Sequence, residues 1–265
     1  MRFSVLLILL IAGCSTRKII QLPLQRENTS GTELFKTAFS YNYKQRDSLA
    51  VYEFMRGNIP DYIRRFVPVK TEITGTDGNK IKAIYFVSPD YLSIGRMDWV
   101  RIPITPMAAQ MIADSIDCFL PTRKMVDDIY QSAKVKLDPV PMYAFRDSTP
   151  TMYHHHLIIE GQRKGRNGLI AGITKDVVVS GKISRDSKQN RVAIYGWHLP
   201  NGKPIQPLYT GHVDWYVDYS HGVRLVYRKI KVDGKWMDYV DILKNDVLRT
   251  LLCDEEYCDY YKYSY

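Results

Sequence analysis

The sequence predicts an α+β fold, with a helix-rich N-terminal half and an antiparallel, strand-rich C-terminal half. Apolar residues recur at helical intervals between 105 and 130. From Asp176 onward the chain changes to short β-branched and aromatic runs, parted by turn pairs such as Asn201-Gly202 and Asp233-Gly234. No alternation of strand and helix of the kind that builds a parallel sheet is present, nor any repeat of 20 to 50 residues.

In chain order, residues 15–30 are polar and irregular, which suits a tether, and ordered structure is expected from Thr32. Residues 32–66 read as helical pieces, with Asp47 or Ser48 as the cap of a segment ending at Arg56-Gly57-Asn58 and Pro60 opening a short turn. Val67 to Val87 reads as a hairpin, because Asp77-Gly78 supplies the positive backbone angles of a tight turn. Thr105 then caps a helix with Pro106 at its first position, and Pro121-Thr122 opens another carrying Met125, Ile129 and Tyr130. The strand assignments are 176–180, 191–195, 215–220 and 223–232, followed by a last helix over 241–252. The tail, with Tyr257, Tyr260, Tyr261, Tyr263 and Tyr265, is too aromatic for a disordered end and is expected to pack.

Ahead of all this stands a leader with one cation, Arg2, and an apolar run too short for a bilayer span, which needs roughly 20 residues. Its closing tetrad, Ile11-Ala12-Gly13-Cys14, resembles the lipobox of bacterial lipoproteins. That resemblance implies cleavage before Cys14 and acylation of its sulfur and new amino group. Ser15 follows where an Asp would hold the protein elsewhere, so the resemblance implies an outer-membrane address in a Gram-negative envelope. The expected organisation is a signal peptide at 1–13, a lipidated tether at 14–31 and one globular domain at 32–265, large enough for a substantial core.

Lys and Arg number 37 against 28 Asp and Glu, so the surface favours anionic partners. An envelope address turns that preference away from nucleic acid and towards anionic lipid, lipopolysaccharide or acidic glycan. Arg163-Lys164-Gly165-Arg166 reads as solvated loop charge. An oxidising envelope lets Cys253 and Cys258 close a small loop, leaving Cys118 as a buried structural thiol.

All six histidines fall between 154 and 221: His154, His155, His156, His198, His212 and His221. Histidine is the commonest metal ligand and titrates nearest neutrality, so two chemistries are open. Read as extended, residues 153–158 would send His154 and His156 to one side, where His198, His212 or His221 as third ligand and Asp218 or Glu160 as a carboxylate ligand or base would give an open zinc-type site. No complete zinc signature accompanies them. The second constellation lies in Gly211 to Arg224. There His221 is the expected general base or acid, Asp218 its orienting partner, His212 a neighbour, and Arg224 an anion clamp, with Gly222 breaking the strand to bring them within reach. Ser220 lacks a G-x-S-x-G elbow, and Lys175-Asp176, opening an apolar strand, reads as a charged pair at a pocket rim or as strand-end charge facing water. Two functions fit: an envelope hydrolase cutting a peptide, glycan or related polymer at a His-rich pocket, or a noncatalytic lipoprotein that binds an anionic envelope polymer or partner protein.

Overall fold

The computed structural model describes residues 18–22, 24 and 28–265; the expected leader and Cys14, the expected lipidation position, lie outside the described residues. Lys18–Ile19 form strand β1 and Gly31–Thr37 helix α1. Helix α2, Tyr43–Met55, opens at Asn42, whose side chain bonds the Gln45 amide while the Gln45 side chain bonds back, a reciprocal cap that outcompetes the expected one at Asp47 or Ser48. Asp47 instead accepts from the amide and hydroxyl of Thr105.

Strands β2 (Arg65–Thr74) and β3 (Lys80–Val87) form the expected hairpin, paired from Val67↔Val87 to Thr74↔Lys80, with Gly78 at φ 82° in its loop. A short hairpin of β4 (Ser93–Ile94) and β5 (Val100–Arg101) leads into α3, Pro106–Ser115, capped by Thr105 with proline in the first turn. After β6 (Cys118–Phe119), Thr122 caps α4, Arg123–Ser132, which buries Met125, Val126, Ile129 and Tyr130. Next come β7 (Val135–Lys136) and α5 (Thr149–Arg163), the latter capped by Ser148.

The remaining elements are β8 (Ile170–Ala171), β9 (Lys175–Val178), α6 (Gly181–Ser184), β10 (Arg191–His198), β11 (Pro204–Val213), β12 (His221–Gly222), β13 (Val226–Tyr227), β14 (Lys229–Val232), β15 (Lys235–Asp238) and α7 (Tyr239–Lys244). The last helix therefore stops at Asn245, and a 3₁₀ turn over Leu248–Leu251 follows.

The fold is α+β with mainly antiparallel sheets. The larger sheet runs β1-β2-β3-β13-β6, with β14 also on β3 and β15 on β14. Front and rear of the chain thus share one sheet: Val226 pairs with Val87 and Lys231 with Ile84. The smaller sheet runs β11-β10-β9-β12. Val177, Val192 and Ile194 on its inner strands, with Val179 just past β9, join the main core with α1 to α3, while Val178, Ala193 and Tyr195 pack on Val126. Burial on both faces explains the continuous apolar run of 177–179.

Three sequence expectations change. Residues 18–20 are not free tether, since β1 pairs with β2 and Ile20 is buried in the core. Residues 215–220 are turn and irregular backbone, because the Asp218 carboxylate captures the Ser220 amide and hydroxyl in place of a ladder. The run 223–232 is strand only from Val226, broken at Arg228. The tail does pack: buried Tyr263 donates its hydroxyl to the Val178 carbonyl at 2.6 Å and accepts the Ala193 amide at 3.0 Å. Cys253 and Cys258 are bonded and Cys118 is buried and free. Among the described residues no helix is long and apolar enough to cross a membrane.

Candidate functional site

The site is organised by a pairing that runs against the antiparallel rule of the rest of its sheet. β12 lies parallel to β9, with His221 beside Lys175 and Gly222 beside Asp176, and the Lys175 amide donates to the Ser220 carbonyl at 2.7 Å. Gly222 is needed for this close approach, because a Cβ there would stand 2.2 Å from Thr174 Oγ1 and 2.5 Å from the Tyr91 ring. Immediately before it, Asp218 Oδ1 accepts the Ser220 amide at 2.9 Å and the Ser220 hydroxyl at 2.5 Å, while the His221 amide donates to the Asp218 carbonyl at 3.1 Å. That turn sets Asp218 Oδ1 3.9 Å from His221 Nε2, with both side chains buried.

The second carboxylate oxygen faces the mouth. Arg146 Nη2, from the loop 138–148, donates to Asp218 Oδ2 at 2.8 Å, and the Tyr216 hydroxyl lies 3.5 Å away. His212, half-buried near the end of β11, has its ring 5.9 Å from His221 and 4.8 Å from Tyr216. Lys175 is buried, its ammonium 5.3 Å above the Trp197 ring. The Arg146 carbonyl accepts the Tyr219 amide at 2.9 Å and the Met142 amide donates to the Tyr219 hydroxyl at 2.7 Å, so the loop is pinned across the site from both ends.

Burial pushes the His221 imidazole down to about 4; Asp218 opposes the shift, and Lys175, His212 and Arg146 add to it. His212 is lowered for the same reasons, burial first. Burial also lowers the Lys175 ammonium, against the pull of Asp218. For Asp218 burial works upward, but His221, the Ser220 hydroxyl and Lys175 outweigh it and hold the carboxyl below its usual range. At neutral pH the site therefore holds an ionised carboxylate beside a neutral imidazole whose Nε2 has no hydrogen-bond partner. A neutral imidazole in that setting can take a proton from water or a hydroxyl, and the carboxylate stabilises the imidazolium that forms. Arg146 and Lys175 supply positive charge for a developing oxyanion.

Beside His221 lies a small cavity of about 20 Å³ between β12 and α5, lined among others by Arg101, His155, Thr174, Tyr219 and His221. Three of its lining side chains, through His155 Nε2, Thr174 Oγ1 and His221 Nε2, lack hydrogen-bond partners. The volume suits about one water molecule, so it is too small for substrate. On its other side His221 is flanked by His212 and Tyr216, with Arg146 on the Asp218 carboxylate.

Of the residues expected from sequence, His221, Asp218 and His212 come together. Arg224 does not act as an anion clamp: it is fully buried, donates to the carbonyls of Ser88 at 2.9 Å and Ile170 at 2.7 Å, lies 3.8 Å from Asp176 and stacks on Tyr91. The proposed metal ligands are scattered. Residues 153–158 are helical, so His154 and His156, about 200° apart around α5, face different ways. His154 is exposed, and His156 is buried against Trp99 and Arg101. His198 bonds Asp127 at 2.8 Å and stacks on Tyr130. Glu160 pairs with Arg101 and Arg163. Among the described residues no group of three or more His, Cys, Asp or Glu side chains is arranged to hold a metal ion.

Sequence reasoning missed Arg146, Tyr216 and His155, and left Lys175 between a pocket rim and a solvated strand end. Arg146 lies 72 residues from Asp218, and nothing local marks it. His155 was set apart from its neighbours by the extended reading; at helical spacing it turns inward onto Tyr219, ring to ring at 5.0 Å. Comparison of the chain with protein-family models, with curated proteins and with solved structures finds no match.

Proposed function

We propose that this protein is a lipid-anchored hydrolase of the bacterial cell envelope, cutting a peptide, glycan or related polymer with His221 as acid–base group and Asp218 as its charge partner. The observation that carries the reading is the unpartnered, buried Nε2 of His221 facing the Asp218 carboxylate at 3.9 Å. That separation is longer than a hydrogen bond, as catalytic contacts often are before substrate binds. His212 stands at the mouth as a second proton carrier, and Arg146 and Lys175 stabilise the anion formed on attack. The reading gives zinc no role, since His154 is exposed on α5, His156 packs on Trp99 and His198 bonds Asp127.

Anchoring at Cys14 and an outer-membrane location belong to the same proposal. Lys18 is four residues beyond Cys14 and already paired in a sheet, so an extended link spans at most roughly 14 Å. The domain would then work directly against its bilayer. Substitution Cys14→Ala should move the protein to the soluble fraction.

The test is turnover of isolated peptidoglycan sacculi and of an unstructured protein by the full chain in mild detergent, read as released reducing ends or amines. His221→Gln is expected to lower turnover by about 10²- to 10⁴-fold, the range for a positioned acid–base group. Full turnover by that variant, with its fold verified by circular dichroism, overturns the assignment. Binding to sacculi without cleavage by the native chain would replace it with the noncatalytic reading.

A further inference from the structure

We propose that the cleft next to the Asp218–His221 pair is a saccharide-binding subsite, which makes the substrate class a glycan; the subsite's place beside the chemistry rests on the hydrolase reading, its ligand does not. The cleft holds about 410 Å³ between the start of α2 and the segment 215–217, with the start of α5 as its floor. That volume is in the range of small-ligand sites, roughly 300 to 1,000 Å³.

Its walls are aromatic faces. Trp215, 50 % exposed, stacks on Tyr43 with ring centres 6.1 Å apart and planes 29° from parallel. Phe39 and Tyr41, just ahead of α2, and Tyr216, next to Trp215, also line it. Large rings left in contact with water around a hollow call for an occupant with an apolar face. A pyranose has one: its axial C–H bonds carry slight positive charge and settle on the negative face of a ring.

The floor supplies the polar half. Thr149 lines the cleft, is only 2 % exposed, and its hydroxyl has no hydrogen-bond partner. Such a group is costly to bury unless something bonds it, on the order of 1–3 kcal/mol, and a sugar hydroxyl both donates and accepts. Ser148, beside it, is committed to capping α5 through Thr151, so Thr149 is the hydroxyl left for a ligand. Arg46 and Asp147, of opposite charge, line the same cleft, so it presents no net field for a phosphate or a polyanion.

A peptide is the competing occupant, and the backbone argues against it. Extended peptides gain most of their affinity by adding to a strand edge, and none of the residues lining this cleft is in a strand. Continuity with the chemistry runs through Tyr216, which lines the cleft while its hydroxyl lies 3.5 Å from Asp218 and its ring 6.0 Å from His221.

The experiment is titration of the full chain in detergent, in the His221→Gln background so that nothing is consumed. The probes are chitotetraose, cellotetraose and maltotetraose, with tetra-alanine as the peptide comparison, read by tryptophan fluorescence and calorimetry. At least one tetrasaccharide is expected to bind, with Trp215→Ala weakening it tenfold or more, Trp215→Tyr restoring most of it, and Thr149→Val weakening it several-fold. Binding by none of the three sugars, binding indifferent to Trp215→Ala, or tetra-alanine binding with the same Trp215 dependence overturns the subsite. Saccharide binding by a native chain that cleaves no polymer defeats the hydrolase reading and leaves the subsite standing; cleavage without saccharide binding does the reverse.

Discussion

Arg101 and His221 line the same small cavity, yet the charge clusters they belong to are built in opposite ways. Around Arg101 each partner is committed. Its guanidinium meets Asp90 through two bonds, at 3.0 and 2.6 Å, and Glu160 at 2.9 Å. Both Asp90 oxygens have a further neighbour, the Tyr91 amide at 2.7 Å and the Tyr62 hydroxyl at 3.4 Å. Trp99 and Arg163 close the outside. Around His221 the positive charges Arg146 and Lys175 converge on one carboxylate, and Nε2 is left over. A closed bidentate network fixes geometry and has no capacity for a new ligand. A cluster with a spare acceptor, beside half-buried His212 and Tyr216, retains that capacity at a cost in stability. Burial of charge alone therefore does not mark the functional region; what sets this cluster apart is an unpartnered imidazole nitrogen beside an ionised carboxylate.

The comparison can be broken at its widest point by acid. His155, His156 and His221 are held down to about 4, 3 and 4, burial being the leading cause in each. All three stay neutral in the fold, whereas the unfolded chain takes up protons below about 6.5. Stability from these groups is thus complete above pH 6.5 and lost as pH falls towards 4, with His221 alone accounting for roughly 3 kcal/mol. Denaturant midpoints measured from pH 7.5 to 4 should fall steeply across that window. A flat profile would contradict the buried neutral state of these rings.

Next in size is Arg101→Ala, which strands Asp90 in the core. Loss of one partner of a buried pair costs about 3–5 kcal/mol, to be read as a drop in the urea midpoint. The double substitution Asp90→Leu with Arg101→Met should recover much of that loss. If Arg101→Ala alone is mild, the network is not the rigid half of the comparison.

Gly222→Ala should be less severe, about 1–3 kcal/mol, since the added methyl meets Thr174 and Tyr91 in a packed interior. It should also reduce turnover, because β12 carries His221 and must shift away from β9. Unchanged activity would separate the strand pairing from the site.

The smallest stability effect is expected for Arg146→Ala, about 1 kcal/mol or less, since its side chain is 42 % exposed and Ser220 still serves Asp218. Turnover should nonetheless fall about tenfold with loss of the charge above Asp218. A loss of stability as large as that of Arg101→Ala would place Arg146 among the structural arginines instead.

Much of the front half was legible because its signals are local. Thr105-Pro106 and Thr122 cap the helices expected of them, and Asp77-Gly78 turns the hairpin. The site was only half legible. His221, Asp218 and His212 sit within ten positions, so a compact turn was enough to join them. The strand assumed for 215–220 failed because Asp218 bonds its own neighbours, a choice that propensity does not weigh. Arg224 looked equally suitable by position, and only the carbonyls of Ser88 and Ile170, brought from far along the chain, show it to be structural.

By itself the sequence determined the α+β class, the helix caps, the hairpin and the crowding of imidazoles into one stretch, since each depends on interactions among neighbours a few residues apart. The tertiary structure decided which of those imidazoles face each other. It turned His155 inward and His154 outward on one helix, sent His198 to Asp127, and laid His221 beside Lys175 through a parallel pairing across 46 positions. Those outcomes depend on which distant backbone closes against each side chain, and no local pattern carries that information.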